Sequence, residues 1–266
     1  MQTEKRLTIL KIGGSVITDR TSEVPNINHA NLSRLATEIA EGMKSENFQL
    51  VMVHGVGSYG HQIVKRTGID KGISNDEQKL GMAQTQMQVS ELNVLVCKQL
   101  QEAGIPAMPC QASAAAVMNN GRVSEWDVSA VREMLSRGVV PVLYGVPAVD
   151  KSMGCSILSG DQIAPYLAKH LKADRIIHGT DVDGIFTGDP KKDKNAKHIP
   201  LINAENIEQV KTMLGGSTNV DVSGGMTGKV AEIAGTGIRT MIVSATVPGR
   251  IRAALLGENI GTLIRI

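Results

Sequence analysis

Two apolar runs that do not alternate, LTILKI at 7–12 and LVMVH at 50–54, each lead directly into a glycine turn. The first turn reads KIGGS (11–15) and the second HGVGSYGH (54–61). Runs without alternation suit strands buried on both faces, in the interior of a parallel sheet. Further candidate strands lie at 107–109, 139–143, 175–178, 240–243 and 262–266. Helical patterns fill the spaces at 28–44, 76–103, 128–137, 162–171, 204–213, 228–236 and 250–256. Strands alternating with helices predict βαβ units, and so an α/β fold with a mostly parallel sheet covered on both faces. Asn26 or Asn28 can cap the first long helix and Ser74 or Asn75 the second, which Gly104 ends.

Composition narrows the function. The 266 residues suffice for one large domain or two fused lobes, with a possible boundary near 171–174. Aromatic residues make up only 2%, which argues against base-stacking nucleic-acid modules. A net charge of +2 with interspersed signs offers no broad basic surface for DNA or membrane. The basic run KKDKNAK at 191–197 reads as a solvated loop. Cys97, Cys110 and Cys155 show no metal spacing and read as reduced thiols of a cytoplasmic protein. No signal-peptide core stands at the N-terminus, and no apolar stretch nears the ~20 residues of a membrane helix.

Two further glycine-bearing turns, LSGD at 158–161 and SGGMTGK at 223–229, open helices. At the carboxyl ends of parallel strands such turns converge on one crevice, where amide groups and helix N-termini attract anions. A single turn is explained by sterics alone; four, two of them with a lysine, predict a highly anionic ligand. Residues 54–61 match Gly-x-Gly-x-x-Gly, yet the acidic partner expected about 20 residues later falls in GIDKGISNDEQKL, which has no strand character. His61 also stands where that fingerprint needs no ionisable group. A P-loop is excluded, because SGGMTGKV is one residue short and Val230 follows its lysine. Lys11, at the end of a buried strand, fits an anion in the crevice better than a core without a counter-charge. His61 reads as a ligand contact and His54 as structural.

KIGGS, HGVGSYGH, SGDQ, GTDVDGIFTGDPKK and DVSGGMTGK, in that order, resemble the amino acid kinase family, which includes acetylglutamate, glutamate, aspartate and uridylate kinases. Within it, the HGVGSYGH loop and the ending ALLGENIGTLI are similar to archaeal-type isopentenyl phosphate kinases. The resemblance spans essentially the whole chain. It implies a three-layer αβα sandwich forming one amino acid kinase-like domain over 1–266, with an acceptor lobe at about 1–170 and a nucleotide lobe at about 171–266. It also implies a homodimer, ATP with Mg²⁺, and phosphorylation of isopentenyl phosphate to isopentenyl diphosphate in the alternative mevalonate route.

The same resemblance assigns roles. Lys11 bridges the phosphates, with Gly13, Gly14 and Ser15 lining the path. Gly55, the Val56 backbone, Gly57 and Gly60 cradle the acceptor and the γ-phosphoryl group, and His61 hydrogen-bonds the acceptor phosphate. Gly160 touches the acceptor and Asp161 orients the lysines. Thr180, Asp181, Asp183, Gly184, Phe186, Asp189, Pro190 and Lys191 form the nucleotide wall. Gly225, Met226 and Lys229 close over the β- and γ-phosphates. Two residues depart from the family's usual ones: Val56, where Gly or Ala is usual, and Arg20, where lysine is usual.

The chemistry agrees. A phosphate monoester acceptor is already anionic, so no general base is needed, and positioning plus neutralisation of the equatorial oxygens suffice. Lys11, Lys229 and Arg20 supply cations, and Mg²⁺ arrives on ATP without a dedicated protein cage. The helix LGMAQTQMQVSELNVLV offers Met82, Met87 and Val89 for an isoprenoid tail, with Met82 and Gln86 expected to face it. The rival readings are a phosphonate or small-acid kinase of the same fold and a catalytically silent nucleotide-binding protein.

Overall fold

The computed structural model describes residues 5–19, 22, 24–190, 192–215 and 225–266. The strands in chain order are β1 Arg6–Ile12, β2 Phe48–His54, β3 Ala107–Pro109, β4 Ala116–Asn119, β5 Arg122–Trp126, β6 Val140–Tyr144 and β7 Val146–Asp150. They continue as β8 Gly154–Leu158, β9 Arg175–Thr180, β10 Ile185–Phe186, β11 His198–Ile199, β12 Leu201–Asn203, β13 Thr240–Ser244 and β14 Thr262–Arg265. The helices are α1 Gly14–Ile17, α2 His29–Ser45, α3 His61–Thr67, α4 Asp76–Glu102 and α5 Ser129–Ser136. After them come α6 Gly160–Leu171, α7 Ile207–Gly215, α8 Gly225–Ala234 and α9 Arg250–Leu255.

Eight strands form the central sheet in the order β12-β14-β13-β9-β1-β2-β6-β3. From β13 to β3 every pairing is parallel, and only the β13–β14 pairing is antiparallel. Side chains alternate between the faces of β1 and so sort the helices into two layers. Leu10 and Ile12 join Met52 in a core with residues of α2, α4 and α9, including Leu35, Leu92 and Leu255. Leu7 and Ile9 join Val51 and Val53 in a second core with α5 and α6, through Leu135, Ile163 and Leu167. Residues of α7 and α8 pack with Ile242 of β13 and Ile264 of β14 in a third cluster. The α/β architecture with a large, mostly parallel sheet is therefore the expected one.

Helix punctuation follows local chemistry. Asn28 caps α2, its side chain accepting from the Asn31 N–H, and Asn75 caps α4 in the same way through Gln78. Gly104, at φ +86°, follows the end of α4.

Sequence patterning missed a four-stranded sheet, β5-β4-β7-β8, whose β7 follows β6 of the main sheet after a single residue. Its strands are four or five residues long, and Pro147 sits within β7, so none carries a strong strand signature. The β4–β5 hairpin turns at Asn120 and Gly121, both at positive φ (50° and 74°). That is the two-residue Asn-Gly turn whose twist matches a hairpin.

Candidate functional site

The ends of β1 and β2 bring their glycine turns into direct contact. The Gly55 N–H donates to the Ile12 carbonyl at 2.9 Å, and the Gly13 N–H donates to the Gly179 carbonyl at 2.8 Å. A Cβ on Gly14 would stand 2.3 Å from the Gly57 amide nitrogen, and one on Gly55 would stand 2.5 Å from the Gly14 nitrogen. Neither position admits a side chain, because the obstructing atoms are backbone. The interlocked turns form the floor of a cleft of about 790 Å³.

At the base of this cleft three charged side chains from distant parts of the chain meet. Lys11 ends β1, Asp161 lies in the first turn of α6, and Lys229 lies on α8. Both ammonium groups reach one carboxylate oxygen: Asp161 Oδ1 is 2.7 Å from Lys11 Nζ and 2.5 Å from Lys229 Nζ. All three side chains are about nine-tenths buried. Burial alone would raise the Asp161 carboxyl, but Lys11 and Lys229 outweigh it and hold the group well below the usual carboxylate range. Burial and the neighbouring Lys11 lower the Lys229 amine to about 8, against the pull of Asp161. Two cations on one anion leave a net positive charge at the base of a partly dry cleft, the electrostatic condition for an anionic ligand.

Most of the predicted residues line this one cleft. Gly13, Gly14, Ser15, Gly55, Val56, Gly57, Gly60, His61 and Gly160 border it beside Lys11 and Asp161. His61 is exposed there, at the first position of α3. Thr180, Asp181, Gly184, Phe186, Asp189, Pro190, Met226 and Lys229 line the same cleft. Gly225 begins α8. Arg20 and Lys191 lie outside the described residues.

Three assignments need correction. Asp183 does not line the cleft: its carboxylate pairs with Arg250 at 2.6 Å and accepts from the Ser244 N–H, tying the loop after β9 to α9. Met82 packs against Val64, Ile69 and Cys155 and is not among the side chains lining the cleft. Gln86 is occupied elsewhere, donating to Ser90 at 2.9 Å and to the Tyr144 hydroxyl at 3.3 Å while accepting from Ser113. The residues of α4 that do border the cleft are Thr85 and Val89. They sit three positions further along the helix than Met82 and Gln86, on a neighbouring stripe. Met87, at 68% exposure, faces away from the core.

The apolar end of the cleft is formed by Val56, Val64, Val89, Val146 and Ile157. Val56 keeps a helical backbone (φ −96°, ψ −23°). Its methyl groups fill space that only glycines leave open, since a Cβ would lie 2.6 Å away if built on Gly60 and 3.2 Å away if built on Gly145. His54 is fully buried, stacked on Tyr144 and 3.0 Å from the Asn93 amide, and burial pushes its imidazole down to about 4. Sequence reasoning passed over His178, which lies on β9 opposite Lys11 with Nδ1 3.7 Å from Asp161 Oδ1. A histidine at the end of a buried strand gave no separate signal. Among the described residues, no three His, Cys, Asp or Glu side chains group as metal ligands, and no helix is long and apolar enough to cross a membrane.

Comparison with known proteins places this geometry. Residues 6–244 match the model of the amino acid kinase family. The isopentenyl phosphate kinase of Methanothermobacter thermautotrophicus is 42% identical over 97% of this chain and 98% of its own length. That of Methanocaldococcus jannaschii is 38% identical over 97% and 98%. An X-ray structure of isopentenyl phosphate kinase superposes with a TM-score of 0.84 at 39% identity, covering 97% of this chain and 99% of the other. The chain belongs to the amino acid kinase family and, within it, to the isopentenyl phosphate kinase group.

Proposed function

We propose that this protein transfers the γ-phosphoryl group of ATP to isopentenyl phosphate, yielding isopentenyl diphosphate and ADP. The observation that carries this reading is one cleft holding the Lys11–Asp161–Lys229 bridge between the glycine turns and an apolar end. The acceptor's phosphate lies over the turns, with His61 donating to it. Its hydrocarbon tail occupies the end lined by Val56, Val89 and Ile157. ATP lies along Thr180, Asp181, Phe186 and Met226, so that residues of about 1–170 serve the acceptor and those of about 171–266 the nucleotide.

The acceptor oxygen attacks the γ-phosphorus as the bond to the β-phosphate oxygen breaks, and ADP carries away the electron pair. The acceptor is ionised before it binds, so the protein need not remove a proton. Its contribution is to hold the reactants in line and to place two ammonium groups against the developing charge. Lys11 spans acceptor and γ-phosphoryl oxygens, while Lys229 serves the β- and γ-phosphates. Asp161, neutralised by both lysines, orients them. Mg²⁺ enters as the ATP complex, held chiefly by phosphate oxygens.

A cytoplasmic homodimer fits this reading. Leu80, Met87 and Val94 are exposed at seven-residue intervals along α4, a stripe on which a second copy can pack. Light scattering should give twice the chain mass for the wild type and the single-chain mass for Met87→Glu; a monomeric wild type ends the dimer reading. The enzymatic reading is tested by coupled ADP release, with isopentenyl phosphate turned over efficiently and methyl phosphate poorly.

A further inference from the structure

His178 is 1% exposed, and both of its ring nitrogens lack a hydrogen-bond partner among the described residues. An apolar side chain would fill this strand position without burying two polar atoms unpaired. Three observations connect the ring to the Lys–Asp–Lys bridge. Register places His178 beside Lys11 on adjacent parallel strands. Its Nδ1 stands 3.7 Å from Asp161 Oδ1, the oxygen that both ammonium groups already occupy. At 3.7 Å no hydrogen bond is made, but a shift of about 1 Å would make one. Burial and the nearby Lys229 ammonium also keep the imidazole neutral, so it has one N–H to donate and adds no charge.

The bridge has a consequence during the reaction proposed above, on which this inference rests. Phosphate oxygens must draw Lys11 and Lys229 toward the substrates, and the Asp161 carboxylate then loses much of its pairing in a buried setting. We propose that His178 is a positioning residue that donates to Asp161 once the phosphates engage the two lysines. Among the described residues the imidazole has no hydrogen-bond partner while both lysines engage Asp161, and it gains one when the phosphates draw them away. A neutral donor suits this exchange. It holds the carboxylate in place and leaves the lysines free to stay with the phosphates.

His178→Leu removes the donor at similar size, and His178→Gln restores an N–H. Thermal melting is read without ligand and with a saturating magnesium complex of a non-hydrolysable ATP analogue; turnover is read by ADP release. The expected His178→Leu protein melts at or above the wild type when empty, yet gains less than half of the wild-type ligand shift. Its kcat falls roughly tenfold to a hundredfold, with the KM for isopentenyl phosphate within about threefold of wild type, and His178→Gln recovers most of both losses. A merely structural histidine would lower the melting temperature of the empty protein, and that result overturns the proposal. So does a full ligand shift and kcat in His178→Leu, or a His178→Gln protein no better than His178→Leu. Because the melting arm needs only the nucleotide analogue, a wild type that binds it but ignores isopentenyl phosphate refutes the acceptor assignment and leaves the His178 result readable. A wild type that does not bind the analogue overturns both.

Discussion

Raising the pH discharges Lys229, and the loss can be worked from its surroundings. Its amine is lowered from 10.5 to about 8, first by burial and then by Lys11. At about 1.4 kcal/mol per pH unit, the gap amounts to roughly 3 kcal/mol held against the charged form. Half of the molecules then carry the charge at pH 8 and about one in ten at pH 9. Since kcat/KM reports the free enzyme, it should fall about tenfold between pH 7 and pH 9. Bound phosphates favour the ammonium, so kcat itself should hold to a higher pH. Phosphate monoesters complete their ionisation near pH 6, about two units below this window, so the substrates do not cause the loss. The assay is coupled ADP release from pH 6.5 to 10 for the wild type and for Lys229→Arg, whose guanidinium stays charged. Lys229→Arg should be slower overall but lack the alkaline fall in kcat/KM. Calorimetry should find close to one proton taken up per ATP bound at pH 9 and almost none at pH 7. The sign for stability follows as well. The folded-state value lies below the unfolded one, so the charge costs stability below pH 8, and that cost is relieved as pH rises toward 10.5. A kcat/KM that stays flat through pH 9.5, or an identical fall in Lys229→Arg, would rule out Lys229 as the titrating group.

Two further substitutions probe the cleft. Gly14→Ala drives a Cβ to 2.3 Å from the Gly57 nitrogen, so it should cost roughly 3 kcal/mol of stability and about a hundredfold in ADP release. Gly13→Ala is the control, because its Cβ would meet nothing closer than 3.5 Å; equal losses in the two variants would contradict the interlocked-turn account. Val56→Ala removes methyl groups from the apolar end of the cleft. It should lower kcat/KM about tenfold for isopentenyl phosphate and leave methyl phosphate nearly unchanged, and an equal fall for both would show that Val56 does not touch the tail.

The parts of this fold that were legible in sequence are those whose local chemistry is sufficient. Unalternated runs marked β1 and β2 as interior strands, and Asn28, Asn75 and Gly104 marked helix ends to within a residue or two. The four-stranded sheet was not legible by periodicity, because β4, β5, β7 and β8 are only four or five residues long. Asn120-Gly121 was its one strong local signal. At the site, Lys11, Asp161 and Lys229 each stood out beside a glycine turn, but their sharing of one oxygen depends on how β1, α6 and α8 pack. The face of α4 was misread because several stripes of that helix carry apolar residues, and the packing of α3 and the 57–59 turn against α4 sets Thr85 and Val89, not Met82 and Gln86, on the cleft. Asp181 and Asp183 are two residues apart in one loop, and the Arg250 pairing that removes Asp183 from the cleft comes from the far end of the chain. His178 was silent for a similar reason, since its meaning lies in a neighbour on α6.

The acceptor is identified by supplying ATP with isopentenyl phosphate, dimethylallyl phosphate and methyl phosphate in turn. ADP release is followed, and the product is identified by phosphorus NMR. Isopentenyl phosphate should be converted rapidly to its diphosphate, with methyl phosphate at least about a hundredfold poorer in kcat/KM for want of a tail in the apolar end. Equal use of methyl phosphate, or ATP binding with no diphosphate formed, would contradict this acceptor assignment.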